Sequence, residues 1–308
     1  MKKWLVVMLM MKQVLFFLLM IAPLLLSADS VEANKIACEN NDSKGCYELA
    51  IHFQSSAKVK KEYLNAAELC AKSCMLGYAD GCTDLGLIFY EGNAGIKKHM
   101  KRAAYFFAKG CKQKSYPGCS NLALMYSNGN GVKKDEVRAI RLAKLACDHN
   151  LSIGCRNLGV FYHQGSSRVR NYQKAIEPYV KGCSGGDMVA CSNLGVMYQY
   201  GNGLTKDYQK AITLYEKACN CAYPQGCSNL GFMYEKGLGV KRSYAKAVPY
   251  YRIASDYGDP QGQYNLALLY YTGISLKVDV PKALSLFKKA CESGYEPSCR
   301  NYRLIKGQ

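Results

Sequence analysis

From Cys46 onward the apolar positions follow two periods at once, a short one of three to four residues and a long one of 36. Counting from Cys46, Cys82, Cys119, Cys155, Cys191, Cys227 and Gln263, position +3 is always Leu (Leu49, Leu85, Leu122, Leu158, Leu194, Leu230, Leu266). Position +4 is Ala or Gly, and +7 is aromatic (Phe53, Phe89, Tyr126, Tyr162, Tyr198, Tyr234, Tyr270). Spacings of one, three and four residues lay these side chains on one stripe of a helix, called helix A, with the small residue where a second helix comes close. Position +10 is Gly in six copies (Gly92, Gly129, Gly165, Gly201, Gly237, Gly273), which predicts a left-handed residue ending each helix.

A second helix, helix B, is expected about six residues later. Asp135, Asn171, Asp207, Ser243 and Asp279 stand twelve residues before the next cysteine position, and their side chains suit a helix N-cap. Eight residues before that position every copy has Ala (Ala66, Ala103, Ala139, Ala175, Ala211, Ala247, Ala283), which predicts a tight helix crossing. Four before it comes a bulky residue in most copies: Phe107, Tyr179, Tyr215, Tyr251 or Phe287. The unit is an antiparallel helical hairpin, copied over 46–81, 82–118, 119–154, 155–190, 191–226, 227–262 and 263–298. Such a period predicts an all-α solenoid, read as a single elongated domain over 29–308 with partial capping helices at 31–38 and 299–308.

The first 28 residues break this pattern. A basic start, an apolar run interrupted by Lys12 and a small-residue site near Ala28 predict a cleavable secretory signal, with translation starting at Met1 or Met11. A retained membrane anchor is the other reading, although neither half of the run gives an uninterrupted span of about 20 residues. The expected location is therefore secreted or periplasmic.

Cysteine chemistry changes the picture most. Of 16 cysteines, fourteen form pairs eight residues apart: Cys38/Cys46, Cys74/Cys82, Cys111/Cys119, Cys147/Cys155, Cys183/Cys191, Cys219/Cys227 and Cys291/Cys299. Each pair would staple the end of one helix B to the next helix A in an exported chain. The spacing does not suit zinc, and no metal or other cofactor is expected. Cys70 and Cys221 are left over as free thiols, four units apart and too far for a mutual bridge. Cys221 is either a bystander competing with Cys219 for Cys227 or an intermolecular, redox-active thiol. Copy six carries Ser255 and Gln263 where a staple belongs, so 254–263 is expected to be the weakest joint.

The formal charge of +18 is partly periodic, through Arg102, Arg138, Lys174, Lys210, Lys246 and Lys282 just before the constant Ala. It is either a solvated face or an attraction for anionic surfaces. Nucleic acid is not an expected partner, because no recognition motif accompanies the charge.

The motif C-x-N-L-G-x-x-Y-x-x-G-x-G-V, the K-A-x-x-x-Y/F segment and the eight-residue cysteine spacing resemble Sel1-like repeats, relatives of tetratricopeptide repeats. More narrowly, residues 38–308 resemble the Helicobacter cysteine-rich proteins. The resemblance implies a right-handed α/α superhelix of stapled hairpins, secretion, helix A lining a concave surface, and binding or slow hydrolysis of β-lactams. It identifies no catalytic residue.

Position +2 of helix A is polar throughout, with amides at Asn121, Asn157, Asn193, Asn229 and Asn265. Such a ladder could bond an extended peptide backbone, with +6 (Met125, Phe161, Met197, Met233) holding side chains and Arg156 clamping a carboxylate. Equally, each Asn could tie helix A to its neighbouring unit. Because Glu48 and Asp84 interrupt the amides, a groove would centre on copies three to seven. The expected ligand is a peptide, a muropeptide or a partner protein, with β-lactam binding or weak β-lactamase activity as the alternative. For that alternative the chain offers S-x-x-K at Ser55/Lys58, Ser243/Lys246 and Ser285/Lys288, no more than chance supplies, and no accompanying S-D-N or K-T-G. His52, His99, His149 and His163 occupy unrelated repeat positions.

Overall fold

The computed structural model describes residues 30–56, 60–92 and 95–307, so the candidate signal segment lies outside the described residues, as does Lys58. Every regular element among the described residues is helical. Residues 30–39 form α1. It is followed by α2 (Ser43–Ser56), α3 (Lys60–Met75), α4 (Ala79–Glu91), α5 (Met100–Lys112), α6 (Tyr116–Asn128) and α7 (Glu136–Asp148). Then come α8 (Ser152–Gln164), α9 (Tyr172–Ser184), α10 (Met188–Tyr200), α11 (Tyr208–Asn220) and α12 (Pro224–Lys236). The chain ends with α13 (Tyr244–Asp256), α14 (Pro260–Thr272), α15 (Val280–Glu292) and α16 (Glu296–Lys306). Even-numbered helices from α2 are the A helices and odd-numbered ones from α3 the B helices. The chain divides into two compact units at Leu142/Ala143.

The repeat positions explain the packing. The constant Ala of helix B is buried in all seven copies, and the ring positions Phe107, Tyr179, Tyr215, Tyr251 and Phe287 are buried with it. Each ring lies on the small residue at +4 of its own helix A. A Cβ added to Gly86, Gly159, Gly195 or Gly231 would stand 2.5–2.7 Å from a ring carbon of Phe107, Tyr179, Tyr215 or Tyr251. The glycine is therefore a packing requirement, not a turn.

The buried tyrosines need a partner for their hydroxyls, because an unsatisfied buried polar group costs about 1–3 kcal/mol. Position +8 of helix A supplies it. Tyr215 donates to Gln199 Oε1 at 2.7 Å, Tyr251 donates to Glu235 Oε2 at 2.7 Å, and the Tyr179 hydroxyl lies 3.3 Å from His163 Nδ1. Where the ring is Phe107 or Phe287, position +8 is Tyr90 or Tyr271 instead. Burial, and secondarily Arg170, lowers the His163 pKa, which keeps the imidazole neutral and able to accept from Tyr179.

The expected N-caps form. Asp135, Asn171, Asp207, Ser243 and Asp279 accept from the backbone N–H of Arg138, Lys174, Lys210, Lys246 and Lys282. His99 caps α5 in the same way through Nδ1. Of the helix-ending glycines, Gly92, Gly129, Gly201, Gly237 and Gly273 have positive φ, but Gly165 does not, with φ −60° and ψ 170°. Its copy has the loop SSRVR where N-G-V or N-G-L follows Gly129 and Gly201, and a turn from Ser166 to Val169 and Arg170 redirects the chain.

Much of the periodic basic charge is neither wholly solvated nor free. Arg102, Arg138, Lys210, Lys246 and Lys282 lie over the +7 rings of Phe89, Tyr126, Tyr198, Tyr234 and Tyr270, at 4.6–5.7 Å from the centroids. Each thus shields the outer face of an aromatic on its own hairpin.

Seven disulfides join consecutive units: Cys38–Cys46, Cys74–Cys82, Cys111–Cys119, Cys147–Cys155, Cys183–Cys191, Cys219–Cys227 and Cys291–Cys299. Cys70 and Cys221 carry free thiols, one buried in a ring position and one exposed after α11. At the unstapled joint the Gln263 amide donates to the Ser255 carbonyl at 3.5 Å.

Candidate functional site

The A helices carry the amide ladder, and its members have different surroundings. Asn157 is 4% exposed and accepts from Arg156 Nε at 3.4 Å. Asn193 bonds the Tyr179 hydroxyl of the preceding hairpin, and Asn229 donates to Ser192 Oγ of the preceding A helix at 3.2 Å. Asn265 bonds the Tyr251 hydroxyl of the preceding hairpin in the same way as Asn193 bonds Tyr179. Arg156 lies 3.2 Å from Asp187 Oδ2, a carboxylate that also caps α10, so its guanidinium is engaged within the fold. In the second unit Asn193, Asn229 and Asn265 thus tie neighbouring repeats together.

The +6 residues are turned inward, and of them Met125 lines a hollow on the A-helix face. Met125, Phe161, Met197 and Met233 are all at most 7% exposed. An A helix in the middle of an array is covered by its own helix B, by the helix B before it and by two neighbouring A helices, so its buried arc reaches one residue further than in an isolated hairpin. The half-exposed apolar row is position +5 instead: Ile51, Leu87, Leu124, Val160, Val196, Phe232 and Leu268. Positions +2, +5 and +9 share one face of the helix.

On this face of the first unit the side chains leave a hollow of about 90 Å³, lined by Leu87, Tyr90, Asn121, Leu124 and Asn128 among others. Apolar side chains floor it and the amides of Asn121 and Asn128 rim it. It draws on copies two and three, earlier than the uninterrupted run of amides suggested. Leu87 and Leu124 at +5 line it together with Met125 at +6.

The acidic interruption of the ladder has its own chemistry. Burial, together with nearby Asp80, raises the Asp84 pKa to about 6, against the opposing effect of a hydrogen bond from Tyr47.

The candidate serine–lysine pairs have local explanations. Ser243 is a helix cap for the Lys246 backbone, and Lys288 pairs with Glu292. Cys70 is an inert thiol, pushed up to about 12 by burial and by Asp84. Among the described residues no cluster of His, Cys, Asp or Glu could hold a metal ion.

The Sel1 repeat family matches at residues 43–78, 79–115, 117–151, 152–187, 189–223, 224–259 and 260–295. The chain belongs to the Sel1 repeat family. A Sel1 repeat protein from Oxalobacter formigenes is similar at 24% identity over 85% of this chain and 76% of that one, with a TM-score of 0.63. A protective antigen of uropathogenic Escherichia coli with an SLR fold is similar at 23% identity over 89% and 67%, with a TM-score of 0.61. At these identities the likeness shows the shared fold. Helicobacter pylori cysteine rich protein B is similar at 32% identity, over 44% of this chain and 97% of that one, with a TM-score of 0.35. No curated protein matches the sequence. Sel1 solenoids generally act as scaffolds for protein interaction, and the disulfides of this one point to an oxidising, extracellular or periplasmic environment.

Proposed function

We propose that this Sel1 protein is an exported scaffold that binds an extended peptide segment of a partner protein along the A-helix face of its first unit. The observation that carries this reading is the hollow between Leu87, Tyr90 and Leu124, with the Asn121 and Asn128 amides beside it. An apolar recess takes one side chain of a peptide, and a neighbouring amide can donate to and accept from its backbone. Residues 1–28 would direct export and be removed, leaving no membrane anchor. Asn193, Asn229 and Asn265 then tie repeats together and Asn157 and Arg156 are engaged within the fold, so all five support the scaffold more than they contact the peptide.

The test is selection of peptides from a random display library on the oxidised protein, followed by affinity measurement on Asn121→Ala and Leu124→Asp variants. The proposal expects each variant to weaken the selected peptide about tenfold or more, with helix content retained. Equal affinity for wild type and both variants would contradict it. A muropeptide and a β-lactam enter as competitors, because both are short peptides or their analogues. Turnover of many equivalents of a chromogenic β-lactam would instead support the hydrolase reading.

A further inference from the structure

A different surface carries a second kind of site. Successive B helices leave clefts floored by the +3 Leu and the +7 Tyr of the A helix between them. Two such clefts, three repeats apart, have equivalent linings. Between α7 and α9 the cleft measures about 320 Å³, and there Lys144 pairs with Asp148 at 2.7 Å and Lys181 with Glu177 at 2.8 Å. Between α13 and α15 the cleft measures about 620 Å³.

The difference comes from substitutions at equivalent places. Ser285 stands where the first cleft has Glu177, which leaves Lys289 without the carboxylate that holds Lys181. Arg252 replaces Lys144, and Ser255 replaces the disulfide cysteine Cys147. Among the described residues no carboxylate pairs with Arg252, Lys282 or Lys289. Three cations against Asp256 leave this cleft two charges positive, where the first cleft has three lysines against two carboxylates. Arg252 and Lys282, from different helices, also converge on one oxygen. Both reach the Tyr270 hydroxyl, whose pKa is lowered mainly by the bond to Lys282 and also by Arg252.

We propose that the α13/α15 cleft binds a phosphate monoester dianion through Arg252, Lys282 and Lys289, with room beside them for a sugar-sized body. Two net positive charges match the dianion, and Arg252 offers the forked donors that suit phosphate oxygens. The Ser255 and Ser285 hydroxyls add donors at the rim, and a cleft of this size exceeds what phosphate alone would fill.

The test is calorimetric titration of the oxidised protein, at low ionic strength, with inorganic phosphate, a hexose phosphate and the uncharged hexose. One saturable site is expected, taking the hexose phosphate more tightly than inorganic phosphate, and the hexose not at all. Ser285→Glu restores the carboxylate of the first cleft at an exposed position and should weaken binding about tenfold or more, as should Arg252→Gln. Lys241→Gln, exposed elsewhere, should change it less than about twofold. Binding unchanged in Ser285→Glu, an equal loss in Lys241→Gln, or the absence of a saturable site would each overturn the proposal.

Discussion

Tyr179, Tyr215 and Tyr251 bring a hydroxyl into the core of their hairpins, and the residue at +8 of helix A answers it with His163, Gln199 or Glu235. The pairing was present in the sequence, since Phe rings coincide with Tyr90 and Tyr271 at +8. It could be recognised only once the two positions, sixteen residues apart, were known to touch. The caps were legible at once, because a cap acts within three residues of itself. The burial of Phe161, Met197 and Met233 could not be read locally, because burial by neighbouring repeats is not a local property.

Two predictions belong to this scale. Gly231→Ala sets a Cβ 2.7 Å from the Tyr251 ring and should cost about 1–3 kcal/mol in a denaturant titration. The second concerns pH. Asp84 has a folded pKa of about 6, above its ordinary value of 3.8, so its contribution is lost as pH rises through about 6. Asp84→Asn should therefore stabilise the protein at pH 7, with the gain vanishing near pH 4. His163 acts in the opposite sense: its folded pKa is lowered, so its contribution is present above the ordinary value of 6.5 and lost as pH falls below it. Thermal unfolding of Asp84→Asn and His163→Gln between pH 4 and 8 separates the two.

At the scale of elements, hairpins are joined by staples, and their positions followed from a bare spacing of eight residues. The joint from α13 to α14 has instead the amide of Gln263 on the Ser255 carbonyl. Paired Ser255→Cys and Gln263→Cys substitutions should form an eighth bridge and raise stability by about 2–3 kcal/mol under oxidising conditions only. Unchanged stability on oxidation would show that this joint does not limit unfolding. The remaining thiols differ in access. One equivalent, Cys221, should react with a thiol reagent in the native protein, and a second, Cys70, only after unfolding; two fast equivalents would contradict its burial.

Across the whole molecule, repetition made the fold legible while masking the sites. What repeats holds the solenoid together: the Ala crossing in every copy, and in most copies the cations over the +7 rings and the amides at +2. What departs from the repeat is where the two proposed sites lie. The peptide hollow falls where Asn121 meets the leucines and Tyr90, and the α13/α15 cleft opens where Ser285 and Ser255 replace an acid and a cysteine. Averaging over copies conceals both, and only placement of the side chains shows which departures adjoin.

The proposed function places a partner peptide on the A-helix face. It is tested most directly by photo-crosslinking, with benzoylphenylalanine replacing Tyr90 in the hollow or Tyr105 on α5, and the selected peptide as bait. Tyr105 is 63% exposed against 36% for Tyr90, so accessibility alone favours the control position. A covalent adduct from position 90 and none from position 105 is the predicted result. Adducts from position 105 with none from position 90 would contradict the account and move the binding surface to the B helices.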